Sequence, residues 1–124
     1  MDAEITYLKL KNVALQEFPD IVVSASITRG PLNVAKSLRL FFIDNSFLEV
    51  WISGGKYSYH WQRIDGKIYR HDNAPHKKHK LIKTFPKHFH YGSEDNVKES
   101  NVADNSEIAI GDFLKFVREN IWFC

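Results

Sequence analysis

Residues 47–72 read FLEVWISGGKYSYHWQRIDGKIYRHD, and two glycine-containing dipeptides divide them into three runs. Gly54-Gly55 and Asp65-Gly66 both suit two-residue hairpin turns, which need positive φ at one or both central positions. Three antiparallel strands are therefore expected, over about Phe47–Ser53, Lys56–Ile64 and Lys67–Asp72. With two residues in each loop, Ile52 faces Tyr57, Val50 faces Tyr59 and Leu48 faces Trp61, an apolar row suited to packing on a core. On the other face Glu49 falls opposite His60, and His60 opposite His71, with neighbours roughly 5 Å apart at Cβ. A bulge beyond either turn would send each following side chain to the opposite face.

Upstream, Tyr7, Leu10, Val13 or Ala14, and Phe18 recur at helical spacing, which predicts a helix over Asp2–Phe18 closed by Pro19. Ile21–Thr28 alternates, with Ile21, Val23, Ala25 and Ile27 on one side and Ser24, Ser26 and Thr28 on the other. A further strand is expected over about Ser37–Ile43, ending at the turn Asp44-Asn45-Ser46. Downstream, residues 73–83 (NAPHKKHKLIK) read as a basic loop that the aromatic stretch TFPKHFHYG returns to the sheet. His88 and His90 share a face if that stretch is extended. Residues 93–105 are polar and expected to be mobile. Ile110, Phe113, Leu114, Val117 and Ile121 then predict a C-terminal helix over one sheet face, capped by Asn105 or Ser106 and weakened at Gly111. The expected fold is α+β, a single domain with an antiparallel meander of about five to six strands and a helix near each end.

The 124 residues, 44% hydrophobic and 14% aromatic, suffice for one ordinary core. No apolar run approaches the roughly 20 residues needed to span a bilayer, and MDAEITYLKL lacks the pattern of a signal peptide, so a cytoplasmic protein without membrane partners is expected. The single cysteine, Cys124, leaves no partner for an internal disulfide and no cysteine-cluster metal site. All six histidines lie between His60 and His90. Residues 56–92 also hold nine lysines and arginines against Asp65 and Asp72, a net +7 within a chain of net +2. The molecule is strongly polarised.

Such a cluster fits three chemistries. Acid–base cleavage of RNA needs a base for the 2′-hydroxyl, an acid for the leaving 5′-oxygen and a cation on the phosphate. Histidines or Glu49 can exchange the protons and Arg70 or a loop lysine can hold the phosphate, while Tyr57, Tyr59, Trp61, Tyr69 and Tyr91 offer rings for base stacking or for the core. In the alternative of a metal-dependent hydrolase, His76, His88 and His90 ligate a divalent ion, with His79 a further nitrogen donor, although no closed zinc motif or helical HExxH is present. In the third, a basic face carrying Lys77, Lys78, Lys80 and Lys87 binds nucleic acid without reaction.

The segments YSYHWQ (57–62), RHDNAPH (70–76) and FPKHFH (85–90), followed by a polar stretch and a terminal helix, resemble the TumE-type toxin family of prokaryotic toxin–antitoxin systems, over about residues 36–121. The resemblance implies a small intracellular toxin acting on RNA and neutralised by a cognate helix-turn-helix antitoxin; the acid–base reading requires no cofactor, and homo-oligomerisation is left open. The matching positions are Tyr57, Tyr59, His60, Arg70, Asp72, Asn73, Pro75, His76, Phe85, Pro86, His88 and His90. His71 departs from the family pattern, which more usually has an aromatic there, and Lys77 and Lys87 stand where a further histidine is common. Resemblance and residue chemistry together make His60 the general base, oriented by Glu49, one of His76, His88 and His90 the general acid, and Arg70 the phosphate ligand. Tyr57, Tyr59, Lys77, Lys78, Lys80 and Lys87 are the expected RNA contacts. Asp72 and Asn73 shape the turn, with Asp72 orienting Arg70, and Trp122-Phe123 is a candidate for either an antitoxin contact or a cap on the core.

Overall fold

In the computed structural model, which describes residues 3–122, helix α1 (Ala3–Glu17) precedes strands β1 (Val22–Arg29), β2 (Ala35–Phe42), β3 (Phe47–Ser53), β4 (Lys56–Gln62), β5 (Ile68–Asp72), β6 (His88–Gly92) and β7 (Val97–Glu99), and helix α2 (Ser106–Asn120) follows. The strands form one antiparallel sheet in chain order, each paired with the next. This is the expected α+β meander, with seven strands among the described residues. β7, within the stretch expected to be mobile, is a three-residue edge strand, VKE, too short and polar to show an apolar alternation in the sequence. Asp2, Phe123 and Cys124, to which parts of the sequence reading refer, lie outside the described residues.

Both helices cover one face. Tyr7, Leu10 and Ala14 of α1 and Ala109, Ile110, Phe113, Leu114 and Val117 of α2 are buried against Leu38, Leu40, Leu48, Val50, Tyr59 and Trp61. Tyr7 also fastens α1 to the sheet, its hydroxyl donating to Lys36 O and accepting from Ile52 N, each at 2.9 Å. Asn105 caps α2 by accepting from Ile108 N at 3.0 Å. In β1 the predicted alternation fails at one point. A bulge between Val22 and Ser24 turns Val23 outward, 64% exposed, while Ile21 and Val22 are buried.

The two central hairpins differ. Gly54 and Gly55 have φ of 54° and 83°, and the register Ser53↔Lys56, Ile52↔Tyr57, Val50↔Tyr59, Leu48↔Trp61 and Glu49↔His60 is the expected one. At the second turn the loop holds three residues. Gly66 N donates to Arg63 O at 3.2 Å and Arg63 N donates to Lys67 O at 3.0 Å, with Gly66 at φ 90°. This is a turn followed by a left-handed glycine bulge. The extra residue shifts β5 by one, so His60 pairs with Arg70 and His71 pairs with Tyr59. The expected row Glu49–His60–His71 is replaced by Glu49–His60–Arg70.

Candidate functional site

The face away from the helices carries two cross-strand rows. Arg39, Glu49, His60, Arg70, His90 and Val97 are successive partners in one, and Trp51, Ser58, Asp72, His88 and Glu99 in the next. Alternation along each strand sends these side chains to the same side. The loop between β5 and β6, with a 3₁₀ turn over Lys77–His79, lies against this face and brings two more imidazoles. His79 has its ring centroid 5.0 Å from His88 and 6.1 Å from His90, and His76 is 6.1 Å from both His79 and His88.

Arg70 is the hub of the site. Its Nε donates to Asp72 Oδ2 at 2.9 Å, and its two terminal nitrogens donate to the two oxygens of Glu94 at 2.6 and 2.8 Å. The bidentate bond to Arg70 holds the Glu94 carboxyl down at about 2. His60 Nδ1 is 3.4 Å from the same guanidinium, and His60 Nε2 is 3.1 Å from Gln62 Oε1. Glu49 does not orient His60 by a hydrogen bond as expected. Its oxygens accept from Ser37 Oγ at 3.0 Å and pair with Arg39 at 3.2 Å.

The innermost group is Asp72, His88 and His90, all buried. His88 Nδ1 donates to Pro86 O and His90 Nδ1 to Glu94 O, each at 2.9 Å. These bonds fix the rings so that Nε2 turns inward, 2.9 Å from Asp72 Oδ1 for His88 and 3.7 Å from Asp72 Oδ2 for His90. Burial lowers the proton affinity of His90 below that of free imidazole. One ligand atom from each of these three residues lies within 4.8 Å of the others, so together they can hold a metal ion. Asp72 also shapes the turn as expected, accepting from Ala74 N at 3.1 Å. Asn73 ties that turn to the first hairpin, accepting from Tyr57 N and donating to Gly55 O.

Other expected site residues lie elsewhere. Tyr59 is 2% exposed, packed in the core between Val50 and His71, and presents no ring face to a base. Tyr57 is half-buried and its hydroxyl is enclosed. Burial first, and then the charges of Asp104 and Asp72, push that phenol up to about 12. Lys87 is used within the fold, its Nζ donating to Val102 O at 3.0 Å and pairing with Asp104 at 2.7 Å. His71 stacks on Phe89 with centroids 3.9 Å apart, meets Phe113 edge-on and bonds to Ser100 Oγ at 2.7 Å. Burial pushes its pKa down to about 4. It occupies a core position, where an aromatic ring would serve equally. His76, Lys77, Lys78 and Lys80 are exposed on the loop. Trp122 is exposed at the end of α2.

The architecture is thus an α+β meander that packs its helices on one face and gathers imidazoles, carboxylates and a guanidinium on the other. The family model described as Toxin TumE matches residues 11–121, and the chain belongs to this family of toxins of toxin–antitoxin systems, which implies an antitoxin partner. No curated protein and no solved structure matches the chain. No described helix is long and apolar enough to cross a membrane.

Proposed function

We propose that this toxin acts in the cytoplasm by cutting RNA, and that a helix-turn-helix antitoxin holds it in check. The observation that supports this reading is the row His60–Arg70–His90, beside Asp72–His88, on the sheet face that the helices leave free. In the proposed reaction the ribose 2′-oxygen attacks the adjacent phosphorus and the bond from phosphorus to the 5′-oxygen breaks. The products are a 2′,3′-cyclic phosphate and a 5′-hydroxyl.

His60 takes the 2′-hydroxyl proton. Arg70, next to it, binds a phosphate oxygen and offsets the charge that builds there in the transition state. Phosphate takes the place of the Glu94 carboxylate, since both accept the same pair of guanidinium hydrogens. His76 gives the proton to the leaving 5′-oxygen. It is the exposed histidine next to the inner cluster, on the opposite side of Arg70 from His60. His88 and His90 are less suited to that step, because their Nδ1 hydrogens are committed to backbone carbonyls and both rings are buried. Lys77, Lys78 and Lys80 draw the RNA backbone to the face.

The test is the chemistry of the cut ends. Purified protein on a defined RNA should leave 2′,3′-cyclic phosphates, and His76→Ala should lower the rate by roughly 10²-fold, a usual loss for an acid or base group. Ends carrying 5′-phosphate, or a His76→Ala variant at full rate, would reject these roles.

A further inference from the structure

Three buried nitrogens on the open face have no hydrogen-bond partner: His79 Nε2, His88 Nε2 and His90 Nε2. Their rings stand together, with centroid separations of 4.9 Å for His88–His90, 5.0 Å for His79–His88 and 6.1 Å for His79–His90. His88 and His90 are 1% and 4% exposed, so water does not freely satisfy them. A buried polar atom without a partner costs on the order of 1–3 kcal/mol, and two of them, on His88 and His90, within 4.8 Å of each other and of an Asp72 oxygen are an arrangement that a bound group would relieve. The nature of that group follows from the donors. In His88 and His90 the Nδ1 hydrogen is given to a backbone carbonyl, so in the neutral ring Nε2 presents a lone pair. His88 Nε2 is 2.9 Å from Asp72 Oδ1 but makes no hydrogen bond to it. Lone pairs of nitrogen and carboxylate oxygen facing each other repel unless a proton or a metal ion lies between them.

We infer that Asp72, His88 and His90 bind one zinc-class divalent ion. Ligand atoms about 2.0–2.1 Å from a tetrahedral ion stand roughly 3.3 Å apart, and the separations of 2.9 and 3.7 Å between Asp72 and the two sheet histidines bracket that spacing. Two imidazoles and one carboxylate favour zinc or a neighbouring first-row metal over magnesium or calcium, which prefer all-oxygen sites. The backbone carbonyls of Pro86 and Glu94 act as the outer shell that fixes ring orientation. Arg70 holds Asp72 through Oδ2 and leaves Oδ1 turned to His88. Glu94 pairs with Arg70 and balances its charge. All three ligands belong to paired strands, and His79 of the loop lies beside them, outside the ligand group.

The inference rests on ligand geometry and stands apart from RNA cleavage, so its test uses no RNA. Full-length protein stripped with chelator should take up one zinc per chain. His88→Gln and His90→Gln should each weaken uptake by at least about 100-fold, beyond the usual loss from an outer-shell change. Cobalt in place of zinc should give the intense visible absorption of a four-coordinate ion, and His88→Gln should replace it with the weak spectrum of a higher-coordinate one. Absence of stoichiometric uptake by the folded wild-type chain, or uptake unchanged in both sheet-histidine variants, would overturn the site. A weak, six-coordinate cobalt spectrum in the wild type would overturn the ligand set. The wild-type titration and spectrum decide the matter even if a variant fails to fold.

Discussion

Strands β4 and β5 serve two purposes by turns. Tyr59, Trp61, Tyr69 and His71 point to the helices, where Trp61 lies 5.4 Å from Tyr69 and meets Phe42 and Phe116 edge-on. The residues between them, His60, Gln62, Arg70 and Asp72, point away and are joined by hydrogen bonds and ion pairs. One face therefore holds the fold together through buried area, and the other holds polar groups in fixed relation. A substitution on the first face should be felt as lost stability and one on the second as lost chemistry.

The core side gives the largest expected effect. Trp61 is fully buried and its indole donates to Ser46 Oγ at 3.0 Å. Trp61→Ala should destabilise by about 3–5 kcal/mol, the usual range for deleting a large aromatic from a core, and chemical denaturation would measure it. A smaller effect is expected where the faces are set in register. Gly66 has φ of 90° with open space about its Cα, so Gly66→Ala costs backbone strain alone, about 1–2 kcal/mol. Deletion of Ile64 should have a different outcome, because a two-residue loop would exchange the faces of β5 and abolish any activity without regaining stability. The smallest effect on stability belongs to the polar side. Glu94 is 60% exposed and occupies Arg70, so Glu94→Gln should raise affinity for single-stranded RNA several-fold at low salt and leave thermal stability nearly unchanged. Filter binding with a melting curve checks both.

The parts legible in the sequence are those that a period or a turn dictates. Helical spacing placed α1 and α2, and Gly54-Gly55 fixed the β3–β4 register with Glu49 beside His60. The two-residue period put His88 and His90 on one face. The parts not legible depend on a single added residue or on distant chain. Asp65-Gly66 supports both a two-residue turn and a three-residue loop with a glycine bulge, and that choice exchanged Arg70 for His71 on the polar face. His71, placed where an aromatic is more usual in the family, was the available sign of a core position. Asp72 was recognised as orienting Arg70, but its contact with His88 depends on the pairing of β5 and β6 across a 15-residue loop, which neither spacing nor composition reveals. The enclosure of Tyr59 had been foreshadowed by its place in the Val50 row, and packing rather than stacking decided its role.

The separation of fold from chemistry is tested most directly by His60→Ala, with RNA cleavage rate and melting temperature measured on one preparation. His60 is only half-buried and is bonded to Gln62 and Arg70, so its removal should leave the melting point within a few degrees while lowering the rate by roughly 10²–10⁴-fold. A variant that cuts RNA as fast as the wild type, or one that loses rate and stability together, would contradict the account.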